Sequence, residues 1–493
     1  MSNNNSNTVQ AFWVMLGSLS AFGFVIVSSM LLSRYFDKSD YGTYKQVMYV
    51  YSSLIAIFTL GLPRAFSYFL PRVNKGQAKD LISKINLLLM ALGAAMSLSL
   101  FFGADFISGF LKNSDLATPL RYFAIVPFLM LPTMGIEGIL ATFKQTKFLA
   151  VYKILTQLFM LLCVVIPVIF FEGTVISAII GFSIASFLCF LSAIYFKNRP
   201  VKGYVKEKSP YSLKEILSYT LPIMGASIWG IIIASSDQFF ISRYFGAEVF
   251  AEFANGSMEL PFVGMIIGAT SVVLSPVFSK MTHENLNPQK DIFPLWKSVF
   301  EKSAKLIYPL VIFAWFFADV LMVILYGQQY ENSSVYFRIK VVINFFTIIV
   351  YAPLLINIGK VRYYANIHMI TAIVLVLMSF LVVQTFDSPY YISIVSLLCQ
   401  IGKTFALLYA VAKFFQLKVY QLFPVELILK IVLPSIIILS IEYYLFVVYF
   451  DLNLILALVV SFILYAFLFL LYAIWVKIDY LSIFKPLIKK INK

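Results

Sequence analysis

Charge is scarce in this chain: only 12% of its 493 residues are Asp, Glu, Lys or Arg, whereas 61% are hydrophobic. Soluble domains carry about 25% charged residues, so there is too little polar surface here to coat a water-soluble globule. Cysteine is nearly missing as well. Cys163, Cys189 and Cys399 all lie inside apolar runs without disulfide or metal spacing, and read as small hydrophobes. The two histidines, His283 and His368, stand far apart with no carboxylate or thiol at ligand spacing, so no metal site is expected and both read as ordinary residues. No GxxxxGK[ST] motif occurs. Connections between apolar runs reach only roughly twenty residues, which leaves no room for a soluble nucleotide-binding or catalytic domain. The opening MSNNNSNTVQ has no Lys or Arg, and the run behind it is too long for a signal peptide and lacks a small-residue cleavage site, so it reads as an uncleaved helix.

What is present is a series of apolar runs, each long enough to cross about 30 Å of hydrocarbon. The fold class expected is all-α and polytopic, with about fourteen transmembrane helices near 11–32, 46–70, 85–104, 119–142, 151–171, 174–196, 217–241, 252–279, 304–325, 338–358, 364–384, 389–412, 429–449 and 453–475. The formal charge of +15 is explained by orientation in a bilayer before nucleic acid is invoked, and no nucleic-acid partner is expected. Of the 38 Lys and Arg, eight (Arg34, Lys38, Lys45, Lys112, Arg121, Arg243, Arg338, Lys340) fall on one set of connections and three (Arg64, Lys403, Lys430) on neither. The other 27 collect on the opposite set, so both termini are expected in the cytoplasm.

The word SRYF occurs twice, at Ser33-Phe36 and Ser242-Phe245, and the same offset of 209 residues sets Tyr41 on Phe250 and Tyr44 on Phe253. FKQTKFLA at 143–150 and GKVRYYA at 359–365 share a basic-then-aromatic pattern at an offset near 215. Six spans separate the copies of SRYF, and an even number returns the repeat to the same side of the membrane. Two parallel six-helix lobes are therefore expected, an arrangement used by some secondary transporters. Their bounds are 1–200 and 216–414, joined by a basic cytoplasmic linker at 201–215 and followed at 415–493 by two additional helices and a basic tail.

The stretches SRYFDKSDYGTY, GLPRAFSYFLPR and LPIMGASIWGIIIASSDQFFISRYFGAEVFAEFANG resemble the polysaccharide-export, or Wzx-type O-antigen flippase, family of the multidrug/oligosaccharidyl-lipid/polysaccharide superfamily. The resemblance spans the whole chain in span count, with its sharp motifs in helices 1, 2, 7 and 8. It implies lobes disposed around a central cavity, and a bacterial inner-membrane flippase that moves an undecaprenyl-pyrophosphate-linked oligosaccharide from the cytoplasmic to the periplasmic leaflet for O-antigen, capsule or exopolysaccharide. It implies no enzymatic activity, and partners that include the polyprenyl-linked glycan, the bilayer and polysaccharide-assembly proteins such as a polymerase. A cation-coupled multidrug exporter of the same superfamily is the alternative. A membrane glycosyltransferase or polymerase fits less well, because the outer loops are short for acid/base work.

Ionisable residues at membrane depth cost on the order of 2.5–3.5 kcal/mol, so each calls for a partner, a wet cavity or a function. Arg64 lies eight residues before Arg72, roughly 12 Å inside the surface at the helical rise. It is expected either to pair with Glu137 or to meet the substrate pyrophosphate, whose anions suit a guanidinium fork. Lys403 is the second phosphate candidate. Asp237 and Glu259 are candidates for binding H⁺ or Na⁺ as a coupling ion, with Asp237 alternatively answering Arg243 or Arg34; no other cofactor is expected. Glu442 is expected to be near-interface packing. Pro63 and Pro261 are candidate hinges. Tyr41, Tyr44 and Tyr68 are candidate sugar contacts.

Overall fold

The computed structural model describes residues 7–284 and 286–480. The basic tail expected after residue 480 lies outside the described residues. Every regular element among them is helical: α1 (Asn7–Tyr35), α2 (Lys38–Phe58), α3 (Leu62–Phe69), α4 (Lys75–Leu111), α5 (Ala117–Phe123), α6 (Val126–Met130), α7 (Ile136–Thr142), α8 (Thr146–Phe170), α9 (Val175–Asn198), α10 (Leu213–Gly256), α11 (Pro261–His283), α12 (Phe293–Phe316), α13 (Ala318–Tyr326), α14 (Ser333–Val342), α15 (Asn344–Thr347), α16 (Ala352–Asn357), α17 (Val361–Thr385), α18 (Tyr390–Phe415), α19 (Val425–Tyr443) and α20 (Leu454–Trp475), joined by short 3-10 and π turns.

Among the described residues ten helical stretches are long and apolar enough to cross a membrane, or up to twelve when each of two bent pairs counts as one span. The expected fourteen are compatible with this; the spans placed near 252–279 and 338–358 are the two not among the twelve. The second of these is no continuous helix but the short pieces α14, α15 and α16, and its counterpart near 119–142 is likewise α5, α6, a 3-10 turn at Leu131–Thr133, and α7. Prolines explain three of the interruptions. Pro127, Pro132 and Pro353 each begin a new short helix, since proline supplies no N–H to continue the preceding one.

Helix starts follow local chemistry. The Asp37 carboxylate accepts the Asp40 N–H at 2.8 Å at the head of α2, and Asn74 with Gln77 forms a reciprocal capping box on α4. A bend of 47° separates α2 from α3, where Leu60 and Gly61 both take positive φ, 49° and 71°. A bend of 73° separates α12 from α13.

Two compact units divide the chain, Met1–Ala251 and Glu252–Lys493. In the first, α8 lies against both α1 and α9. Its core runs through Leu62, Phe66 and Phe69 of α3, Ile82 and Leu89 of α4, and Ile139 of α7. In the second, α12 packs on α19, and Tyr465 of α20 donates to Ser435 Oγ at 2.8 Å and to the Pro309 carbonyl at 3.3 Å. Pro309 sits inside α12 and removes the N–H that the Lys305 carbonyl would have accepted; the Tyr480 hydroxyl donates to that carbonyl instead, at 3.1 Å.

Candidate functional site

The break between α2 and α3 places the first candidate. A Cβ on Gly61 would stand 2.9 Å from the Thr220 carbonyl, and its φ of +71° suits glycine, so this residue lets α10 approach the bend. Pro63 occupies the first turn of α3, at a real bend. Leu62, Ala65, Phe66 and Phe69 bury one face of α3, which turns Arg64 to its exposed face. The guanidinium has neither an ion pair nor a hydrogen-bond partner among the described residues.

Glu137 does not pair with Arg64. It lies on α7 and meets Lys153 of α8 at 3.3 Å, and Lys153 also donates to Ser18 of α1 at 3.1 Å. A residue that sequence reasoning placed among the loop charges proves central here. Lys197, at the end of α9, is 1% exposed; its ammonium donates to Asn86 Oδ1 at 2.9 Å and to the carbonyls of Pro132 at 2.7 Å and Met134 at 2.5 Å, and lies 4.9 Å from the Phe66 ring centroid. The physical reason is the broken span. Its interruption between Leu131 and Ile136 leaves carbonyls without helical N–H partners, and an ammonium with three donors satisfies two of them.

Helix α10 runs beside α2 and α3 and is held at both ends. At its start Tyr219 stacks on Tyr68, ring centroids 3.9 Å apart, with the Arg72 guanidinium 3.6 Å from the Tyr68 ring. At SRYF, where Gly246 at φ +84° breaks α10 and ends its first helical segment, Gln46 donates to Ser242 Oγ at 2.8 Å, and Asn113 donates to Gln46 Oε1 at 2.6 Å and Thr43 Oγ1 at 3.0 Å. A Cβ on Gly42 would come within 1.9 Å of the Ala247 carbonyl, so the two helices touch backbone to backbone. Tyr41 and Tyr44 are buried, Tyr41 with its hydroxyl 3.4 Å from the Ser29 carbonyl, whereas Tyr68 is half-buried. Asp237 is buried as well.

The second unit repeats several of these devices. Asn332 donates to Glu252 at 3.3 Å where Asn113 meets Thr43, and Arg338 pairs with Asp319 where Arg121 pairs with Asp105. The span expected to carry Glu259 and Pro261 is interrupted at 257–260: Glu259 is exposed in that stretch, and Pro261 opens α11 rather than bending it. Lys403 is half-buried on α18, near enough to Lys340 of α14 and His368 of α17 for their charges to interact. Neither lysine ammonium has an ion-pair or hydrogen-bond partner among the described residues, and His368 Nδ1 bonds to the Tyr364 carbonyl at 2.9 Å. Glu442 is 2% exposed, packed inside the second unit, and neither carboxylate oxygen has a hydrogen-bond partner. Among the described residues no three His, Cys, Asp or Glu side chains gather as metal ligands.

Residues 31–335 match the model of a family described as "Polysaccharide biosynthesis protein". No curated protein matches the sequence. Among solved structures, the chain is similar to a lipid II flippase, MurJ, in an inward closed conformation, with a TM-score of 0.71 at 16% identity over 97% of this chain and 99% of that one. It is also similar to an inward-facing multidrug resistance MATE family transporter of the MOP superfamily, TM-score 0.63 at 13% identity over 82% and 99%. A third is a MOP superfamily transporter from Pyrococcus furiosus with a binding pocket of reverse polarity, TM-score 0.58 at 15% identity over 82% and 95%. These three neighbours are a flippase and two transporters.

Proposed function

We propose, from the premise that this chain belongs to the polysaccharide biosynthesis protein family, that it is a flippase for an undecaprenyl-pyrophosphate-linked oligosaccharide. It moves the glycan head from the cytoplasmic to the periplasmic leaflet of a bacterial inner membrane, both termini cytoplasmic, to supply a surface polymer such as O-antigen, capsule or exopolysaccharide. The observation that carries this reading is a pair of unneutralised cations on spanning helices, Arg64 on α3 and Lys403 on α18. A cation at membrane depth without a carboxylate partner calls for a mobile anion, and a pyrophosphate supplies one. Tyr68 on α3 would contact sugar; buried Tyr41 and Tyr44 fit structural roles better. The breaks at Pro63 and Pro261 are where helices would pivot to expose the site alternately to each face, with H⁺ or Na⁺ on Asp237 as the coupling device.

Buried Asp237 and the likeness to MATE transporters keep a cation-coupled multidrug exporter as the second reading. The decisive experiment is deletion of the gene followed by complementation with Arg64→Ala and Lys403→Ala. Loss of surface glycan with accumulation of polyprenyl-linked precursor inside the cell supports the flippase. Intact glycan with altered drug sensitivity supports the exporter.

A further inference from the structure

The basic-then-aromatic motif repeated at 143–150 and 359–365 is built into two different surroundings. In the first unit its turn carries Lys144 at φ +56°, Phe148 is covered by the Arg199 guanidinium at 3.6 Å, and Lys197 at the end of α9 is committed to two backbone carbonyls. In the second unit the turn recurs with Gly359 at φ +77°. Tyr363 stands at the position of Phe148 and Lys413 at that of Lys197, 215 and 216 residues on. The ends of α11, α17 and α18 there bound a cavity of about 460 Å³, whose lining includes Thr282, Lys360, Tyr363, Tyr409, Lys413 and Phe414.

The lining holds two lysines and no carboxylate. Both lysines are exposed, and neither ammonium has an ion-pair or hydrogen-bond partner among the described residues. The Tyr363 hydroxyl donates to the Ala406 carbonyl at 2.7 Å, which fixes its ring across the cavity wall, while Tyr409 remains 59% exposed. From the cavity α17 carries an exposed apolar row, Ile370, Val374, Leu377 and Leu381, at helical spacing.

We propose that this cavity binds the phosphate headgroup of an anionic glycerophospholipid whose acyl chains lie along the α17 row. Two ammonium groups without countercharge demand an anion, tyrosines at the rim are at home at the headgroup level, and the adjoining apolar row gives the chains a surface. A soluble anion would engage the lysines but leave that row without a role. On the orientation proposed above the site faces the cytoplasmic leaflet, where anionic lipid is abundant. Binding is independent of whether the chain transports glycan, since it is measured without turnover.

The test is native mass spectrometry of the full-length chain in detergent, titrated separately with phosphatidylglycerol, phosphatidylcholine and inorganic phosphate. Paired lysines at a membrane surface predict that Lys360→Gln/Lys413→Gln binds phosphatidylglycerol roughly thirtyfold more weakly. Phosphatidylcholine binding stays unchanged, and Lys360→Arg/Lys413→Arg retains phosphatidylglycerol. A control, Lys297→Gln/Lys305→Gln, alters a separate lysine-lined cavity beside α19 and keeps full affinity. Equal phosphatidylglycerol affinity in the wild type and the Lys360/Lys413 glutamine variant overturns the site. So does an equal loss in the control, and inorganic phosphate binding as tightly as the lipid overturns the assignment to a lipid.

Discussion

Replacing Lys197 with methionine tests the broken span directly. Methionine keeps most of the stem beside Phe66 and removes only the ammonium that now serves Asn86, Pro132 and Met134. Each buried acceptor left without a donor costs about 1–3 kcal/mol, so three lost bonds sum to roughly 3–9 kcal/mol. Against this stands relief from burying a cation, an effective cost of several kcal/mol per ion. The carbonyls cannot find other donors, because Pro132 ends the preceding helix and Gly135 begins the next at φ +79°. We expect a net destabilisation of about 2–4 kcal/mol after the offset. The assay is thermal unfolding of detergent-solubilised protein followed by size-exclusion fluorescence, together with a double-mutant cycle using Asn86→Ala. In the Lys197→Met background, Asn86→Ala costs clearly less than it does alone, because the bond it removes is already gone. An unchanged midpoint for Lys197→Met combined with full additivity in the cycle would falsify the clamp.

Three further outcomes follow from the geometry. Arg64→Ala is an exposed substitution without a lost partner, so folding changes by no more than about 0.5 kcal/mol while glycan export collapses; a matching loss of protein abundance would make its role structural. Gly42→Val drives a Cβ and its two methyl groups toward the Ala247 carbonyl and forces α2 and α10 apart, predicting a loss of at least about 3 kcal/mol or failure to accumulate; normal abundance on a membrane blot would show that the contact yields. Glu442→Leu removes a buried carboxylate whose oxygens have no hydrogen-bond partner and is expected to raise the unfolding midpoint, by an amount equivalent to about 1–3 kcal/mol, in the same thermal assay; a fall would mean the carboxylate is held by an interaction of its own.

Arg64 was legible as a candidate because a guanidinium inside an apolar run is costly wherever it points. Its supposed partner was not, because the facing of Glu137 depends on how α7 is rotated against α8, and that rotation is set by packing. Tyr41 and Tyr44 matched the repeat in sequence, yet the side they present is decided by contacts with residues far along the chain, which buried them.

By itself the sequence determined the membrane class and the positions of most spans, because apolar run length is a local property that needs no partner, and its repeated words led us to expect two copies of one unit. Only the tertiary structure decided that Lys197 is a buried clamp while Lys413 lines an open cavity. The two lysines occupy matching places in the repeat, and what separates them is whether distant carbonyls arrive within hydrogen-bond reach.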